Sequence, residues 1–115
     1  MGQFEERYRI SLFLPNNNAE QAVAISGIIS AATARFGGGT HSAENLPVFR
    51  GYWKEGNQII RDNIILLIAD APMPSGDLPT FLANLKREVK QEYEIVGQPQ
   101  EEMWITAEQI HLVIG

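Results

Sequence analysis

Three arginines, Arg9, Arg50 and Arg61, are the residues of this chain best equipped to recognise an anion, and Tyr52, Asn63 and His41 could assist them. A guanidinium offers a planar fork of donors that matches carboxylate and phosphate geometry. A tyrosine hydroxyl and an asparagine amide add neutral hydrogen bonds. Histidine, with an unperturbed pKa of about 6.5, could also act as a general base. Nothing in the sequence supplies the group that would orient His41 for such work, so catalysis does not lead the reading.

Other chemistry can be weighed from spacing. The run Gly37-Gly38-Gly39-Thr40 invites comparison with phosphate-binding loops. A Walker loop, however, needs Gly-Lys-Ser/Thr opening a helix, and a dinucleotide fingerprint needs its glycines between a strand and a helix. Here the glycines follow a helical pattern and precede a strand, which predicts a helix stop feeding a connection. His41, Glu44 and His111 include the only two histidines, but their spacing matches no zinc motif, and no metal site is expected. No cofactor motif is present. With no cysteine in the chain, thiolate catalysis, disulfides and cysteine-held clusters are excluded, as fits a reducing compartment.

The chain of 115 residues suits one domain, 1–115, able to build a core without a metal or disulfide. Its net charge of −5 disfavours nonspecific contact with nucleic acid or anionic membrane. The amino terminus lacks the pattern of a secretory signal, and the longest apolar run, Ile64 to Ala69, is too short to span a bilayer. A soluble, cytoplasmic protein is the expectation, with neither a nucleic acid nor a membrane as partner.

The positioning elements follow from periodicity. Tyr8, Ile10, Leu12 and Leu14 alternate with Arg7, Arg9, Ser11 and Phe13, which predicts a strand ending at Pro15. Asn18 and Gln21 have the spacing of a capping box, opening a helix to Phe36 with Ala22, Ile25, Ile29, Ala32 and Phe36 on its buried stripe. Gly27 within it predicts close packing, and Gly37 sits where a left-handed cap belongs. Strands from about Val48 to Lys54 and from Gln58 to Ala69 flank a two-residue turn, Glu55-Gly56 or Gly56-Asn57. Phe81, Leu82, Leu85, Val89 and Tyr93 mark a second helix, capped by Asp77 or Ser75. The tail, with Trp104 and then Ile110, Leu112 and Ile114, holds one or two strands. This βαββαβ order predicts an α+β, ferredoxin-like sandwich, a four- or five-stranded antiparallel sheet with two helices on one face. RNA-recognition domains share the order, but the third strand here lacks their aromatics and the chain is acidic.

Either turn pairs even residues of the second strand with odd residues of the third. One face collects Phe49, Trp53, Ile60, Ile64, Leu66 and Ile68, the more apolar set, which is therefore expected beneath the helices. The opposite face would then carry Val48, Arg50, Tyr52, Arg61, Asn63, Ile65 and Leu67, beside Arg9, Ser11 and Phe13 of the first strand. A face apolar at one end and cationic at the other predicts a second sheet over it, from another copy of the chain.

The stretch "RFGGGT…GYWKEGNQIIRDNIILL" resembles the middle of small bacterial ferredoxin-like domains of uncharacterised function, over a quarter to a third of the chain. Such domains place an acidic residue soon after the isoleucine strand begins; Asp62 occupies that place, while Arg61 departs from the pattern. The resemblance implies the fold and no activity. The leading expectation is thus a noncatalytic binding or regulatory module that forms a homodimer through its open sheet face and takes an anionic small molecule. The rival is a small cofactor-independent enzyme of the dimeric α+β barrel type. It would use His41 or Tyr52 as acid–base, with arginines holding a substrate carboxylate.

Overall fold

The computed structural model describes residues 3–42, 49–72 and 76–114. Strand β1 (Gln3–Pro15) buries Ile10, Leu12 and Leu14 completely, as its alternation requires. Helix α1 (Ala19–Phe36) is capped by Asn18, whose side-chain oxygen accepts from the Gln21 amide at 2.9 Å. The Gln21 side chain accepts from the Asn17 amide at 2.7 Å, one residue earlier than a capping box prescribes. Tied into that turn, Gln21 is itself buried, and the inner stripe runs through Ala24, Ile25, Ile28 and Ala32. Ala22, expected on this stripe, is exposed; Ile29 and Phe36 lie on its margin. Gly37 closes the helix in the left-handed region with φ 81°.

A two-residue strand, β2 (Thr40–His41), follows that the periodicity did not reveal. β3 (Phe49–Glu55) and β4 (Gln58–Pro72) form the expected hairpin. Glu55 pairs with Gln58, so the turn is Gly56-Asn57, with φ 61° at Gly56 and no positive φ at Asn57, as a type II′ turn needs. Val48 and Ser75 lie outside the described residues. α2 (Leu78–Ile95) buries Leu85, Val89 and Tyr93. Asp77 precedes it, and its carboxylate accepts from the Thr80 hydroxyl at 2.9 Å without capping a backbone amide. The tail forms a single strand, β5 (Trp104–Ile114).

The strands form one antiparallel sheet in which β1 lies between β5 and β4, and β2 and β3 share the other edge of β4. The fold is therefore ferredoxin-like, with five strands and both helices on one face. Where the helices meet, a Cβ on Gly27 would stand 2.6 Å from a Glu92 carboxylate oxygen, and its nearest neighbours all belong to that side chain. The end of the side chain can swing aside, so this contact does not by itself require glycine. Among the described residues no helix is long and apolar enough to cross a membrane.

The register corrects the expected faces of the hairpin. Leu12 pairs with Leu67, Leu14 with Ile65 and Ile10 with Ala69, and these residues are buried on the side of the helices. Odd residues of β4 therefore face the helices, whereas Ile64, Leu66 and Ile68 face away with Phe13, Phe49 and Trp53. Arg50, Tyr52, Arg61 and Asn63 consequently lie on the helix side, opposite to Arg9. Hydrophobicity misled because both rows of β4 are apolar in its middle. What separates them is how each ends, in Ala69 and Ala71 on one side and Asp70 on the other.

The arginines nevertheless remain exposed because the sheet outruns its helices. Fifteen strand residues extend about 50 Å at ~3.3 Å each. Eighteen helical residues extend about 27 Å at ~1.5 Å each. The β3–β4 tip thus projects past the α-layer, and residues 58–61 are all exposed.

Candidate functional site

Of the six residues expected to form one anion site, the structure brings four together. Arg50 pairs with Asn63 and Tyr52 with Arg61 across the hairpin, and the Arg61 guanidinium lies 5.9 Å from the Tyr52 ring centre. Lys54 continues the same row. Among the described residues none of these three cations makes an ion pair, and the Tyr52 hydroxyl has no hydrogen-bond partner. The hairpin is anchored at its base instead: Asp62 accepts from the Trp53 indole and from the Asn17 side-chain Nδ2 at 2.9 Å. The Asn63 backbone N–H donates to the Asn17 side chain at 2.8 Å.

Arg9 stands apart from this set. Its Nε and Nη2 donate to the two carboxylate oxygens of Asp70 at 3.1 and 3.5 Å. This hydrogen bonding, then the charge of Asp70, holds the Arg9 pKa above its ordinary value, with Glu108 adding to the effect. Beside it Arg7, which sequence reasoning passed over as a ligand residue, donates from Nη2 to the Asp70 carbonyl at 2.9 Å and reaches Glu5 only at 3.5 Å. Its Nε is buried and has no acceptor among the described residues, a condition that costs roughly 1–3 kcal/mol. Arg7, Arg9 and Asp70 line a cavity of about 290 Å³ whose other wall is Phe36, the three glycines Gly37–Gly39 and Thr40. The glycine run is therefore a helix stop, as expected, and also a wall.

His41 occupies a third place. It is exposed on β2, with Nδ1 2.8 Å from the Ser42 carbonyl oxygen, and does not line the arginine cavity. The enzyme reading asked for His41 or Tyr52 within reach of an enclosed cavity shared with an arginine. Tyr52 and Arg50 touch only the rim of an apolar groove, and Tyr52 is 59% exposed. Among the described residues no group of three or more His, Cys, Asp or Glu could hold a metal ion; Glu44 lies outside them. His111 sits on β5, 3.8 Å from Glu6.

Among the described residues, no element packs over the sheet face turned away from the helices. Phe13, Phe49, Trp53, Ile64 and Trp104 surround a groove of about 230 Å³ there. Trp53 and Trp104 meet edge to face at 5.2 Å between ring centres. A Cβ at Gly51 would stand 3.2 Å from Ile64 and 3.3 Å from the Trp53 ring, which would have to give by a few tenths of an ångström to admit it. Trp104 remains 56% exposed and Phe49 40%. Of the apolar residues expected on the uncovered face, Phe13 lies there, whereas Ile65 and Leu67 are buried beneath the helices and Val48 lies outside the described residues.

No family model and no curated protein matches the sequence. Among solved structures, the chain is similar to the divalent cation tolerance protein (Cut A1) from Thermus thermophilus. The two share 12% identity and a TM-score of 0.51 over 90% of this chain and 82% of that one. At that identity the likeness shows a shared fold and nothing about activity.

Proposed function

We propose that the domain is a noncatalytic binding module that pairs with a second copy of itself through the uncovered sheet face and takes an anionic small molecule. The observation that carries this reading is the aromatic groove around Trp53 and Trp104 on a face that no described element covers. Burying a side chain such as Phe49 or Trp104 is worth about 1.5–3 kcal/mol. A handful of such groups, contributed twice across a two-fold axis, supplies the core of a stable isologous interface. The face is apolar around Phe13 and Leu66, and its polar end at Arg9 and Asp70 supplies the rim that such interfaces have.

Light scattering on the purified protein tests the pairing. The wild type is expected at twice the 12.8 kDa chain mass, and Trp104→Asp at a single chain mass with its fold retained by circular dichroism. A wild type that stays at one chain mass at all concentrations overturns it.

A further inference from the structure

We propose that the cavity between Arg7, Arg9 and the Gly37–Gly39 turn binds a small oxyanion, a carboxylate or phosphate group; this rests on the reading of the domain as a binding module and supplies its ligand site. The lining is rich in donors. Asp70 is the carboxylate that lines the cavity, and it occupies the Nε and Nη2 of Arg9; Glu108 beside Arg9 and Glu5 beside Arg7 lie outside the lining. Arg7 spends Nη2 on a carbonyl and keeps only a 3.5 Å contact through Nη1 to Glu5, which is itself half exposed. Its buried Nε has no acceptor, so an anion that drew this side chain toward the cavity would give that donor a partner.

The opposite wall adds donors without adding bulk. Gly37 spends its amide on the Thr33 carbonyl, but the amides of Gly38 and Gly39 and the Thr40 hydroxyl have no partner among the described residues. With no side chain at Gly38 and Gly39, a ligand can approach the backbone directly. The carboxyl end of α1 opposes an anion with about half a charge, an effect confined to its last turn. The cleft, about 290 Å³ and open to solvent on one side, has room for a small anionic metabolite. Arg50 lines a groove whose other walls are mostly apolar, and Arg61 lines none of the described cavities, so neither shares a donor-lined space with a second guanidinium.

Isothermal titration calorimetry of the full chain with inorganic phosphate and, separately, with succinate tests the site. Binding of either is expected in the wild type, and the stronger of the two identifies the group as phosphate or carboxylate. Arg7→Ala should weaken it at least tenfold. Gly38→Asp should do the same by placing a carboxylate on the wall. A Cβ at Gly38 meets nothing within 4 Å, so this second variant tests the site even if Arg7→Ala fails to fold. No heat with either probe overturns the proposal, as does equal affinity in all variants. So does loss of binding in Arg50→Ala/Arg61→Ala while Arg7→Ala binds normally, which would move the site to the hairpin. Chain mass, measured on the same samples, reports separately on the pairing of copies.

Discussion

Leu12 and Phe13 are neighbours in β1, yet they face different worlds. Leu12 is buried with Leu67 beneath the two helices, in a cluster that includes Ile25, Leu85 and Val89. Phe13 points the other way, toward Leu66 and Trp104, onto a face of similar apolar character that no described element covers. Composition does not separate the two sides of this sheet. What separates them is that one meets the two helices, whereas no described element lies over the other, the side on which a second copy is proposed to pack.

Substitutions that remove the same kind of group from each side should sharpen the contrast. Leu12→Ala is expected to cost about 2–5 kcal/mol, read as a large drop in melting temperature. Trp104→Ser, on the uncovered side, should cost the isolated chain only about 1 kcal/mol, the scale of its edge-to-face contact with Trp53. Equal losses measured on single chains would break the comparison.

Tyr93 offers a test on the covered side that depends on pH. It is fully buried, and its hydroxyl donates to the Pro15 carbonyl at 2.8 Å. Burial, with the charge of Asp62 adding, raises its pKa above the usual tyrosine value. The folded protein therefore holds this proton more tightly than the unfolded chain does. Its contribution is whole below about pH 10, where an unfolded tyrosine titrates, and is lost as the pH climbs beyond that value. Denaturant midpoints should be flat through neutral pH and fall above about pH 10, and Tyr93→Phe should flatten that decline while costing about 1 kcal/mol below it. An unchanged alkaline decline in the variant would assign it to other groups.

The smallest effect is expected on the hairpin. Arg50→Ala combined with Arg61→Ala should change stability by less than about 0.5 kcal/mol, because neither makes an ion pair among the described residues. A clear drop in melting temperature would show that these cations hold the structure together.

Most of the fold could be read from the sequence, because single-period segments decide themselves. Ile10, Leu12 and Leu14 alternate without ambiguity, Asn18 caps, and Gly56-Asn57 fixes the turn. The face of β4 could not be read from hydrophobicity, since Ile64 to Ile68 is apolar at every position, and its tie to β1 through Leu12 and Leu67 is a long-range contact. That one ambiguity reversed the hairpin and scattered the expected site: four of its residues stayed together, and Arg9 and His41 went elsewhere. Arg7 and Asp70 escaped notice because a strand edge and a glycine turn enclose a cavity only in three dimensions. The clue on the page was Asp70, a charge ending the row that turns away from the helices.

Both tryptophans of the chain, Trp53 and Trp104, lie on the uncovered face, so their emission reports on its state directly. Following emission maximum and acrylamide quenching through serial dilution should show shielded, blue-shifted tryptophans at high concentration and exposed, red-shifted ones as copies separate. Emission and quenching that do not change across a dilution series, in a protein holding one chain mass throughout, would contradict the account.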